Sequence, residues 1–143
     1  MLPIKRIDHV SMATPNVEER ARFFEELFGM KVIARYDQPK DGYVGVEMSI
    51  PGSTSTFELL EPSGEGSFVS KFLAQKGSMY HHVTFEVTDI KAAASALREH
   101  GIEPFGYRED AEWARELFIH PRDTGGVLIQ LFQPHDPGPT SNR

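Results

Sequence analysis

The chain contains no cysteine. That excludes a disulfide framework, a thiolate metal site and a thiol nucleophile. It contains no apolar run approaching the roughly 20 residues of a membrane-spanning helix, so no membrane partner is expected. Basic charge is sparse: 15 lysines and arginines stand against 21 acidic residues, a net charge of −6, and nowhere do they form a basic run. That argues against a nucleic-acid partner, although local basic residues can still hold an anionic small molecule. No leader segment is expected, because a strand pattern begins almost at once, and the cytoplasm is the expected location.

What is present is ordered around two similar strands. Met79-Tyr80-His81-His82-Val83-Thr84-Phe85-Glu86-Val87 alternates, with Tyr80, His82, Thr84 and Glu86 on one face and a largely apolar set on the other. The stretch from Ile4 to Met12 nearly matches it, and His9 stands where His82 does, each followed by a valine. Either histidine alone reads as an ordinary strand residue.

The order of elements then repeats. Asn16, with Glu19 three residues on, predicts a capped helix through Val17, Ala21, Phe24 and Phe28 that Gly29 ends. Phe23, Phe24, Leu27 and Phe28 are assigned to its core. Strands are predicted over 32–36, 43–50 and 54–60, then a linker and a short helix over 68–76. After the second histidine strand, Asp89 caps a helix over 90–100. Strands are predicted over 102–105, 116–120 and 127–132, with a polar loop over 106–115. His9 and His82, Asn16 and Asp89, Val17 and Ile90, Ala21 and Ala94, and Phe24 and Leu97 all lie 73 residues apart. The expected fold is α+β: two tandem βαβββ modules, about 4–61 and 78–134, forming a curved mixed sheet around a metal-binding cleft. They would make one domain over 1–134, followed by a disordered tail over 135–143.

The repeat pairs two further residues. Glu58 follows His9 by 49 residues and Gln130 follows His82 by 48, each on the last strand of its module. A polar residue amid large apolar neighbours must find partners or a ligand. Two imidazoles, a carboxylate and an amide oxygen suit one divalent transition metal, with cobalt, nickel, zinc, manganese and iron(II) all open. The alternative is a hydrogen-bonded polar layer.

Three stretches carry a family resemblance: Ile7-Asp8-His9-Val10; Lys71 to Gly77 followed by His81-His82-Val83; and Phe118-Ile119-His120-Pro121-Arg122-Asp123-Thr124-Gly125-Gly126-Val127-Leu128-Ile129. On these the chain resembles the vicinal oxygen chelate (glyoxalase-like) superfamily, and within it the methylmalonyl-CoA epimerases. The resemblance implies that His9, Glu58 and His82 are metal ligands. At the fourth family position, a glutamate acting as ligand and base, this chain has Gln130, whose amide cannot take a proton at neutral pH. A further epimerase carboxylate, on the third strand, falls near Gly45. Glu47, two residues on and on the same face, is the candidate to replace it, or else a solvated strand residue.

The resemblance implies a divalent-metal-dependent epimerase or isomerase that works through a metal-stabilised enolate on an acyl-CoA such as methylmalonyl-CoA. Glu58 and Glu47 are the candidate catalytic carboxylates. The alternatives are a glyoxalase-type lyase or isomerase on another α-carbonyl substrate, an iron(II) dioxygenase using two histidines and a carboxylate, and a non-catalytic resistance-type binding protein. Tyr80, Trp113, Arg115, His120 and Arg122 are candidates for contact with an anionic small-molecule substrate. His120 can equally fix the turn at Pro121, and His81 faces away from His82 as a packing residue. A homodimer is the expected assembly.

Overall fold

The computed structural model of the chain describes residues 1–112 and 114–135. Trp113 and the tail over 136–143 lie outside the described residues. The chain divides into two compact units, His9–His81 and Met1–Asp8 with the chain from His82 onward. Each unit therefore takes part of both histidine strands, β1 (Ile4–Ala13) and β5 (Met79–Val87).

In the His9–His81 unit, α1 (Val17–Phe28) is followed by β2 (Lys31–Gln38), β3 (Tyr43–Ser49), β4 (Thr56–Pro62) and α2 (Phe68–Lys76). The strand order is β2-β3-β4-β1, with β1 parallel to β4 and the other pairs antiparallel. Asn16 caps α1 by accepting the Glu19 N–H at 3.0 Å, and Gly29 ends it in the left-handed region at φ 65°. Val17 and Ala21 bury against Val46, Met48, Phe57 and Leu59, and Phe24 packs on their edge.

The aromatic run on α1 corrects one expectation. Phe23, Leu27 and Phe28 are 40%, 70% and 54% exposed, not core. Helical periodicity turns positions 23 and 27 away from the stripe through 17, 21 and 24, and Phe28 sits where Gly29 diverts the chain.

The other unit carries α3 (Ile90–Glu99), β6 (Phe105–Arg108), β7 (Ala114–Ile119), a 3-10 turn (Pro121–Asp123) and β8 (Leu128–Pro134). Its order is β5-β8-β7-β6, with β5 parallel to β8. Asp89 caps α3, accepting from Lys91 and Ala92 N–H at 2.9 and 3.0 Å. Ile90, Ala93, Ala94 and Leu97 then cover Val87, Leu117, Ile119 and Leu131. The chain start is tied into this unit. Thr88 N–H donates to Pro3 O at 3.1 Å, and Lys5 and Arg6 each reach the buried Glu86 carboxylate at 2.8 Å.

The expected βαβββ order is present in both modules, in an α+β protein. The strand anticipated over 102–105 instead begins at Phe105, because Pro104 has no N–H to give a ladder. Part of the expected polar loop over 106–115 is therefore strand: β6 runs to Arg108 and pairs with β7, Phe105 opposite Phe118 and Arg108 opposite Glu116. No described helix is long and apolar enough to cross a membrane.

Candidate metal centre

The parallel pairing of β1 with β4 sets Ser11 opposite Glu58, and strand alternation puts His9 on the same face as Ser11. His9 is buried, and its Nε2 lies 3.7 Å from Glu58 Oε1. Ser11 Oγ donates to that same oxygen at 2.5 Å. The other oxygen, Oε2, accepts from the Tyr36 hydroxyl. Burial, with the Glu58 carboxylate beside it, pushes the Tyr36 phenol far above its ordinary value, so it stays protonated as a donor.

His9, Glu58 and His82 each offer one ligand atom, and the three atoms lie within 4.8 Å of one another. Ligand atoms about 2.1 Å from a shared ion stand roughly 3–4 Å apart, so the His9–Glu58 spacing fits. Two imidazoles and a carboxylate are also the donor set a transition ion takes in preference to calcium or magnesium.

The second module repeats the arrangement with different groups. Thr84 stands opposite Gln130 on β8, and its hydroxyl donates to Gln130 Oε1 at 2.7 Å. Gln130 Nε2 donates to Glu116 Oε2 at 2.7 Å. Arg108 Nε donates to Glu116 Oε1 at 2.9 Å, and its Nη2 reaches the same oxygen. Glu116 and Gln130 are both buried. Gln130 is thus held at both ends by the fold, and its carbonyl oxygen has one further lone pair.

The remaining expected residues scatter. Glu47 is directly opposite Glu58 on β3, half-buried, and accepts from Thr56 Oγ1 at 2.9 Å. Tyr80 is exposed, with its ring edge-on to Phe57 at 6.1 Å. Arg115 alternates with Glu116, which puts it on the face of Leu117 and Ile119 beneath α3, away from Gln130. His120 serves the turn, its Nδ1 accepting the Arg122 N–H at 3.1 Å. Arg122 is exposed beside Asp123 at 3.6 Å. His81 packs on Phe72 and Phe68 at 4.8 and 5.2 Å, and burial pushes its imidazole down against the opposing pull of Glu58.

Sequence reasoning missed Ser11, Tyr36, Arg108 and Glu116. The signal for Ser11 was available: it lies 73 residues before Thr84, in register with the histidines.

The profile of the Glyoxalase/Bleomycin resistance protein/Dioxygenase superfamily matches residues 6–131. The chain belongs to this superfamily. Among its members, the ethylmalonyl-CoA/methylmalonyl-CoA epimerase of Cereibacter sphaeroides is 36% identical over 134 residues, 91% of this chain and 98% of that one. The crystal structure of methylmalonyl-CoA epimerase from Mycobacterium tuberculosis superposes with a TM-score of 0.86 at 28% identity, over 95% of this chain and 92% of that one. A methylmalonyl-CoA epimerase in complex with methylmalonyl-CoA and NH4+ gives 0.82 at 29% identity, over 92% and 96%. Within the superfamily this chain carries the His-Glu-His group described above.

Proposed function

We propose that this protein is a divalent-metal-dependent epimerase of an acyl-CoA of the methylmalonyl type. In this reading it takes and returns the proton on the carbon between the thioester and the carboxylate. The observation that carries the reading is the His9–Glu58–His82 group, in a chain 36% identical to an ethylmalonyl-CoA/methylmalonyl-CoA epimerase. His9, Glu58 and His82 hold the ion, with Gln130 Oε1 as fourth ligand through its remaining lone pair. A bound divalent ion, of cobalt, nickel, zinc, manganese or iron(II), supplies Lewis-acid polarisation of the substrate oxygens. Glu47 faces Glu58 and stands outside the metal group, so it is the residue assigned to take the proton. Tyr80 and Arg122 are the exposed groups assigned to the anionic substrate. The same reading takes the protein as a cytoplasmic homodimer.

One observation favours a second reading. Position 45 is glycine and position 130 is an amide, so the first carries no acid–base group and the second cannot accept a proton. One base on one face suffices for a glyoxalase-type isomerisation, whereas epimerisation needs proton delivery to both. Incubation with methylmalonyl-CoA in heavy water separates the two. Deuterium entering the α-carbon with inversion supports the epimerase. Deuterium without inversion supports a single-base enzyme. No exchange by the metal-loaded protein removes methylmalonyl-CoA as substrate.

A further inference from the structure

We propose that Tyr36 is a positioning residue for the metal centre: it reaches over Gly45 to hold Glu58 Oε2, so that Glu58 presents Oε1 alone to the ion. The inference rests on the metal-centre reading above. Tyr36 belongs to β2 and Glu58 to β4, with β3 between them. The residue of β3 directly opposite Tyr36 is Gly45. A Cβ at position 45 would stand 2.1 Å from Cε2 of the Tyr36 ring and 2.6 Å from its hydroxyl. Only glycine there lets the phenol cross β3 and reach the carboxylate.

The two oxygens of Glu58 have different partners. Oε1 is the one that faces His9 Nε2 at 3.7 Å and takes the Ser11 hydroxyl. Oε2 takes the phenol. A carboxylate held in this way binds an ion through one oxygen, occupying one coordination position and leaving another for substrate. The second module shows what the glycine changes. Its register equivalent of Gly45 is Glu116, opposite Phe132 as Gly45 is opposite Leu60, and the outer-strand residue Arg108 stops there. In the first module the outer-strand donor passes through to the last strand.

The test uses the full-length chain, stripped with a chelator and titrated with cobalt(II) by calorimetry and by visible absorption. For Tyr36→Phe, cobalt affinity is expected to fall about 10–100-fold, the usual cost of removing a hydrogen-bond partner from a metal ligand. The cobalt band is expected to change position or intensity, while the melting temperature of the apo protein changes little. Gly45→Ala displaces the ring and breaks the same bond, so the double variant is expected to lose no more affinity than either single one. Wild-type cobalt affinity and spectrum in Tyr36→Phe overturn the inference, as does a lowered apo melting temperature with affinity intact. Should Gly45→Ala fail to fold, Tyr36→Phe, which removes only the hydroxyl, still decides. A wild-type protein that binds no cobalt overturns the metal-centre reading itself, and this inference with it.

Discussion

In the first module the last-strand residue opposite the histidine strand is Glu58; in the second it is Gln130. Each receives a hydroxyl from the residue two places beyond the histidine, Ser11 at 2.5 Å and Thr84 at 2.7 Å. One strand further out the modules part. The first has Gly45 and lets Tyr36 through; the second has Glu116, which takes the Gln130 amide on one oxygen and Arg108 on the other. In each module one carboxylate takes these side-chain bonds, but in a different column. In the first it stands on β4, accepts the Ser11 and Tyr36 hydroxyls and lies 3.7 Å from His9 Nε2. In the second it stands on β7, and a guanidinium balances it. The same backbone repeat thus gives one layer whose last-strand group is a carboxylate and one whose last-strand group is an amide fixed by a buried ion pair.

The largest expected effect tests whether proton transfer belongs to the first module alone. Glu47 and Phe118 are register equivalents, opposite Glu58 and Gln130. Glu47→Gln is expected to lower α-proton exchange into an acyl-CoA by about 10²–10⁴, the range for a lost general base, with cobalt affinity unchanged. Full exchange by this variant would place the base elsewhere and dissolve the contrast between the modules.

Next comes the outer-strand donor of the second module. Glu116 is buried with its side chain 2% exposed, whereas that of Arg108 is 54% exposed. Arg108→Met leaves the Glu116 charge without its cation. Breaking a buried pair on one side costs about 3–5 kcal/mol, and the half-exposed arginine sets the expectation at the low end, about 3 kcal/mol by urea unfolding. Metal affinity should hold. A stable variant with weakened cobalt binding would show that the Arg108–Glu116 pair positions Gln130 for the ion.

The repeat made much of this legible before any coordinates. His9 and His82, the two helix caps and the Glu58–Gln130 pairing follow from spacing alone, because period-2 strands and capped helices leave local marks. The layers behind them do not. Tyr36 reads as an ordinary aromatic at a strand end, and its role depends on Gly45, nine residues away across a turn. Arg108 and Glu116 read as loop and strand-edge charges, because a polar, proline-led stretch hides β6. Exposed Phe23 and Leu27 mislead in the other direction, since apolar identity says nothing about which helix face meets the sheet. Local pattern fixes which residues share a face, whereas cross-strand register decides which of them touch.

Exchanging the polar columns sharpens the comparison further. Gln130→Glu replaces an amide donor with a second carboxylate 2.7 Å from Glu116 Oε2, removing a hydrogen bond to a charged group. That is expected to cost about 2 kcal/mol in urea unfolding. Adding Glu116→Gln restores one carboxylate to the layer, now on the last strand as in the first module, and should recover part of that stability. Position 130 then also holds the acid–base group that the epimerase resemblance places there. Faster inversion by this double variant than by the wild type would mean that Gln130 marks a diverged reaction. Unchanged inversion would mean that the wild-type site already has both proton carriers.

The smallest effect separates the two hydroxyls. Ser11→Ala and Thr84→Val each remove one hydrogen bond, worth about 1 kcal/mol, so stability alone does not distinguish them. Their readouts should differ because their acceptors differ. Thr84 holds the carbonyl oxygen of buried Gln130, the fourth of the proposed ligands, so its loss should lower the melting temperature and weaken cobalt binding less than Ser11→Ala does. Ser11 holds the oxygen that faces His9, and Tyr36 still anchors the carboxylate through the other. Its loss frees that oxygen to rotate and should weaken cobalt binding more than it lowers the melting temperature. If Thr84→Val weakens cobalt binding as much as Ser11→Ala does, Gln130 coordinates the ion strongly and the layers are equivalent. If it leaves binding unchanged, Gln130 contributes little as a fourth ligand, and the ion rests on His9, Glu58 and His82.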